Sequence, residues 1–136
     1  MRRLSKLCLL VIGTGALAAG ISSQTSQSDS LITPKYDLTT EVHVKGVVVD
    51  TIDYQCPVSG GMGAHLIVTT QDATIEVHLA PTKFVQQYQL NLKRGDNVEI
   101  VGTRILFEGK DAMLARQVIR GEETFVFRDA GGNPIW

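Results

Sequence analysis

The chain of 136 residues carries 13 Lys and Arg against 14 Asp and Glu, a net charge of −1, and 43% of it is hydrophobic. That composition builds one globular domain and excludes collagen-like, low-complexity and disordered classes. Two Cys exclude a disulfide scaffold, and the one long apolar run falls short of the ~20 residues that cross a bilayer.

In chain order, Arg2, Arg3 and Lys6 precede an apolar stretch over 7–19, and Ala16-Leu17-Ala18 offers small residues at cleavage spacing. These parts make residues 1–20 a secretory signal peptide, so the mature protein is expected in the periplasm or outside the cell. Ser5 and Leu7 do not complete a lipoprotein box before Cys8, and Gly13-Thr14-Gly15-Ala16-Leu17-Ala18 has no strand before it to make it a nucleotide loop. Removing the signal takes away three basic residues and no acid, leaving ten basic against fourteen acidic groups, a charge of −4. That balance argues against nucleic acid as a partner. It also leaves Cys56 as the only thiol in an oxidising compartment. Residues 21–35, rich in Ser and Gln, read as a disordered polar linker, and residues 36–136 as the domain.

Residues 41–49 alternate as a half-buried strand, with Val42, Val44 and Val48 on one parity. Residues 53–63, holding Pro57, Gly60, Gly61 and Gly63, read as a loop. Residues 64–70 and 74–79 form a hairpin. A two-residue Asp72-Ala73 turn sets Leu66 against Leu79, Val68 against Val77 and Thr70 against Ile75, with the apolar set inward. Residues 81–92 change to helical period through Phe84, Val85, Tyr88 and Leu92, with Gly95 closing the helix. Strands follow over 96–107, 112–119 and 124–128, then a loop over 129–134 that ends in Ile135-Trp136. The order predicts a mainly β domain: a small OB-fold-like antiparallel barrel of five to six strands with one helix between strands 3 and 4. An open α+β sheet is the competing architecture.

Several segments resemble a group of short secreted bacterial OB-fold proteins. They are His65-Leu66-Ile67-Val68, Val77-His78-Leu79-Ala80-Pro81, Gly95-Asp96-Asn97-Val98-Glu99, Ala115-Arg116-Gln117-Val118 and the run from Phe127 to Trp136. That resemblance implies fold and compartment rather than an activity. The run from Lys45 to Asp53 is similar to the opening of periplasmic copper- and silver-binding OB proteins, although this chain lacks their methionine pair and adjacent tryptophan.

With the apolar set inward, His65 and His78 share the outward face of the hairpin, diagonal neighbours that imidazoles can bridge. His43 has outward parity on the first strand, and Glu76 lies on the same face, so His65, His78, His43 and Glu76 form a candidate ligand surface. Cys56 and Met62, in the loop that leads to His65, add soft donors. Cys, Met and two His suit copper, and zinc also accepts imidazole and thiolate. The same histidines also read as ordinary surface residues, and Cys56 as an incidental thiol. No closed metal motif, phosphate loop, nucleophile elbow or carboxylate pair is present, so an enzyme is not expected and no catalytic residue is assigned. Arg128 and Trp136 either cover one end of the domain or present themselves to a partner. The function expected is a non-enzymatic binding or interaction module whose partner is a protein, a small molecule or a metal. The alternatives are a periplasmic metal-binding accessory protein and an oligosaccharide- or single-stranded nucleic-acid-binding OB domain.

Overall fold

The computed structural model describes residues 33–136. The expected signal peptide and all but the end of the expected linker lie outside the described residues. A 3-10 turn, Leu38–Thr40, leads into strands β1 (Glu41–Cys56), β2 (Gly61–Thr70) and β3 (Thr74–Pro81), helix α1 (Thr82–Gln87), and strands β4 (Asn97–Phe107), β5 (Lys110–Arg120) and β6 (Glu123–Val126). The domain is mainly β, with six strands and one helix between β3 and β4, as the pattern predicts. The strands run β3-β2-β1-β4-β5-β6 with antiparallel neighbours, and a parallel contact between β3 and β5 closes the sheet into a ring.

The apolar parity of the sequence becomes the core. Val48, Leu66, Val68, Val77, Val98, Ile100, Met113 and Val118 are all buried together, and Phe84 of α1 and Phe127 close the cluster. At ~25 cal/mol per Å² of apolar surface, each such side chain stabilises the fold by roughly 1.5–3 kcal/mol. Where β4 crosses β5, a Cβ on Gly102 would sit 2.3 Å from the Leu114 carbonyl oxygen, so only glycine permits that approach.

Three expectations need correction. First, β1 does not end at residue 49. It runs 16 residues, and only 57–60 form the turn into β2. Its N-terminal half pairs with β4 and its C-terminal half with β2, so the hydrogen-bonding surface of two neighbours overrides the Gly and Pro signal. A bulge between Val48 and Asp50 allows the change of direction. Second, the hairpin register is offset by two residues: Leu66 pairs with Val77 and Val68 with Ile75. A two-residue turn of the primed type needs φ > 0 at its first position and, for type I′, at its second as well, and neither Asp72 nor Ala73 adopts it. Instead the Thr70 hydroxyl donates to the Ala73 carbonyl and accepts from the Asp72 and Ala73 amides, closing a wider loop. An offset of two preserves parity, so the buried face is the one expected. Third, α1 stops at Gln87 rather than near residue 92. Gln89 takes a left-handed conformation (φ 51°), and the Leu90 amide donates to the Val85 carbonyl. That end is the one Gly95 was expected to supply. Gly95 instead donates its amide to the Val48 carbonyl in the turn that feeds β4.

Candidate metal centre

Direct cross-strand partners point to the same side of a sheet. His65 pairs directly with His78, so the two imidazoles share the face opposite the core, as parity predicts. They are not in solvent, however: His65 is 1% and His78 2% exposed. The cover comes from β1. Before the bulge, Val48 pairs with Val68 on the core side. After it, Ile52 pairs with His65 and Tyr54 with Gly63, so Tyr54 and Cys56 project onto the histidine face. Tyr54 stacks on His65 at 4.1 Å with planes 10° apart. His65 meets His78 edge to face at 4.6 Å, and Phe107, from the end of β4, closes the row on His78 at 4.6 Å. A Cβ on Gly63 would fall 2.5 Å from Ser59 Oγ and 3.1 Å from His65 Cε1, so this glycine makes room for the ring and the 57–60 turn.

Cys56, 2% exposed, places its Sγ 3.5 Å from His78 Nδ1. Donor atoms of Cys56, His65 and His78 all lie within 4.8 Å of one another. Neither nitrogen of His65 nor Nε2 of His78 has a hydrogen-bond partner. Backbone groups of Ile52 and Gly63 weakly favour the charged form of His65, but neither completes a bond of normal geometry. Orphaned polar atoms in a low-dielectric interior cost about 1–3 kcal/mol each. Burial holds His65 below the usual imidazole range and, with His65 beside it, brings His78 down to about 4. Both rings are therefore neutral and carry free lone pairs at neutral pH. Burial pushes the Cys56 thiol up, so a metal would have to displace its proton.

Glu76 stands at the edge of this nook. It accepts a hydrogen bond from the Tyr54 hydroxyl, and its Oε1 lies 4.0 Å from His78 Nε2. Burial and this carboxylate raise Tyr54 well above the usual phenol range. His78 thus faces a thiol with one nitrogen and a carboxylate with the other. A carboxylate behind a ligating histidine fixes its tautomer and orientation.

The remaining expected residues lie elsewhere. His43 is on the half of β1 that pairs with β4, where its exposed ring binds Glu99 at 2.7 Å. Met62 is 44% exposed opposite Gln55 and has no place in the cluster. Arg128 is buried, with its guanidinium between the Tyr36 and Trp136 rings, and Trp136 packs against Phe84 while staying 37% exposed. Tyr54 and Phe107 escaped the sequence reading. The signal for Tyr54 was present, because Ile52, Tyr54 and Cys56 keep a period of two through the segment read as a loop.

Residues 40–125 match the profile of the MamS/MamX magnetosome protein family, well over half of the chain. The chain belongs to this family. The matched span contains every member of the Cys56–His65–His78 cluster together with Tyr54, Glu76 and Phe107, and stops short of Arg128 and Trp136. No curated protein matches this MamS/MamX family member in sequence. No helix among its described residues is long and apolar enough to cross a membrane.

Proposed function

We propose that this MamS/MamX family member is an exported, non-enzymatic binding domain of the magnetosome system, and that its ligand is a thiophilic metal ion held by Cys56, His65 and His78. The observation that carries the reading is the pair of buried, unpartnered imidazoles converging with the buried thiol. One thiolate and two neutral imidazoles form the trigonal set that copper accepts, and zinc takes the same donors with a fourth ligand. Glu76, behind His78, would orient the ring, and Tyr54 would shield the site from water by stacking on His65. The family supports the magnetosome association, the N-terminal sequence supports export, and the strand order with its helix after β3 supports an OB-type scaffold.

The test is titration of the metal-free protein with Cu(I), Cu(II) and Zn(II) at pH 7 under reducing conditions where needed. Micromolar or tighter binding at one equivalent is expected, with loss of at least a hundredfold in affinity in Cys56→Ser and His78→Gln. Circular dichroism would check that both variants fold. A wild-type protein that binds none of these ions, or folded variants that bind as well as wild type, would overturn the reading.

A further inference from the structure

A second polar nook lies outside the family match, where the C-terminal loop returns to the start of the domain. Arg128 is only 7% exposed. A buried guanidinium almost always faces a carboxylate, yet no Asp or Glu among the described residues pairs with Arg128, whereas Arg116 and Arg120 both have such partners. The guanidinium is held rigidly instead. The Tyr36 and Trp136 rings lie 5.4 and 5.2 Å from its central carbon, and Nη1 donates to the Gly132 carbonyl at 3.0 Å. Nε has no partner, and Nη2 makes no hydrogen bond within the described residues. Nε is closed off from solvent, so Nη2 is the donor left free for an oxyanion, which it would hold by a charge-assisted hydrogen bond.

Arg128 borders a cavity of about 360 Å³, within the size range of small-ligand sites. Lys35 and Asn133 also line it, and no acidic residue among the described ones does. Two cations therefore border one cavity in a chain that carries more acid than base. The adjoining loop is already braced: Asp129 accepts from the Gly131 and Asn133 amides, so its carboxylate is committed to the turn rather than to Arg128.

We propose that this cavity binds a small oxyanion, a phosphate or carboxylate group seated on Nη2 of Arg128 with Lys35 at the mouth. The site is separate from the Cys56–His65–His78 cluster, and neither proposal needs the other. The oxyanion gives Nη2 a partner and supplies the missing negative charge, while the two aromatic rings hold the guanidinium in place.

The experiment follows the Arg128 Nε–H resonance of the full chain, labelled with nitrogen-15, during titration with inorganic phosphate and, separately, acetate. Sodium chloride holds ionic strength constant. A saturating shift of that resonance in the millimolar range or below is expected, and the stronger of the two arms identifies the ligand class. Lys35 is exposed, so Lys35→Gln should fold normally and weaken the response about 2- to 5-fold. Arg128→Lys, followed by backbone amide shifts of residues 131–133, should abolish it. A resonance that moves no more with phosphate or acetate than with chloride, or a response that Lys35→Gln leaves intact, would overturn the proposal.

Discussion

Two of the polar clusters in this small domain, the Arg116–Glu41 network and the histidine cluster, differ in one respect, completeness. On one side, Arg116 grips Glu41 with two hydrogen bonds of 2.7 Å, Tyr36 donates to the same carboxylate, and Thr40 and Thr103 share a hydrogen bond nearby. Charge meets charge, and Arg116 holds Glu41 down to about 2. On the other side, His65 and His78 are more deeply buried, and three of their four ring nitrogens have no partner. A closed network specifies a fold, and an open one keeps its bonding capacity for something else. That contrast separates the structural from the functional, because both clusters are made of equally ordinary residue types.

The contrast can be broken by metal first. At a free-metal concentration a thousandfold above Kd, binding should stabilise the native state by about 4 kcal/mol. Thermal denaturation should show a large upward shift for wild type and at most about a third of it for Cys56→Ser, while Arg116→Met should retain the full shift. Equal shifts in Cys56→Ser and wild type would mean that the ion binds elsewhere.

Acidity separates the clusters next. The His78 pKa falls from 6.5 to about 4 on folding, so the unfolded chain takes up the proton first as pH drops. The stability present above pH 6.5 is therefore lost as pH falls towards about 4, by roughly 3 kcal/mol at most. His65 acts in the same direction. Glu41 acts in the same direction but later: its contribution holds above about 4.5 and fades as pH falls from there towards about 2. Urea denaturation from pH 7.5 to 3 should show a first loss that His78→Gln removes and a later one that Arg116→Met reduces.

Truncation of the closed network should cost less. Arg116→Met leaves Glu41 without its cationic partner and should destabilise by about 2 kcal/mol in chemical denaturation. The smallest effect belongs to His65→Phe. It replaces an unpartnered ring by an apolar one of similar shape, so metal-free stability should change by less than about 1 kcal/mol, while metal binding is lost. A large destabilisation there would show that His65 makes a structural bond after all.

Much of the fold could be read from parity. Val42, Val44, Leu66, Val68, Val77 and Ile100 announce their strands and their inward face, and the two-residue offset of the hairpin left those faces intact because two is the strand period. What parity could not convey was depth. Whether the outward side of a strand meets water depends on what the rest of the chain lays over it, and here that is Tyr54 and Phe107, which come from segments 11 and 42 residues from His65 in sequence. The helix length was misjudged for a local reason. Leu92 is buried as a loop residue that extends the core, so its apolar character imitated one more helical turn. His43 lies away from the site because β1 changes partners between residue 43, which pairs with β4, and residue 54, which pairs with β2.

That change of partners turns on Val49, the extra residue of the bulge. A strand keeps time in steps of two, and one surplus residue puts everything downstream out of phase with what came before. Drawing Val49 into the ladder, with no residue left over, would swing Tyr54 and Cys56 to the far side of the ribbon and bring Asp53 and Gln55 in their place, with the imidazole pair left where it stands. The thiol thus belongs to the cluster through a count of residues as much as through its chemistry, and a β1 with its bulge ironed flat would keep the scaffold while disarming the site.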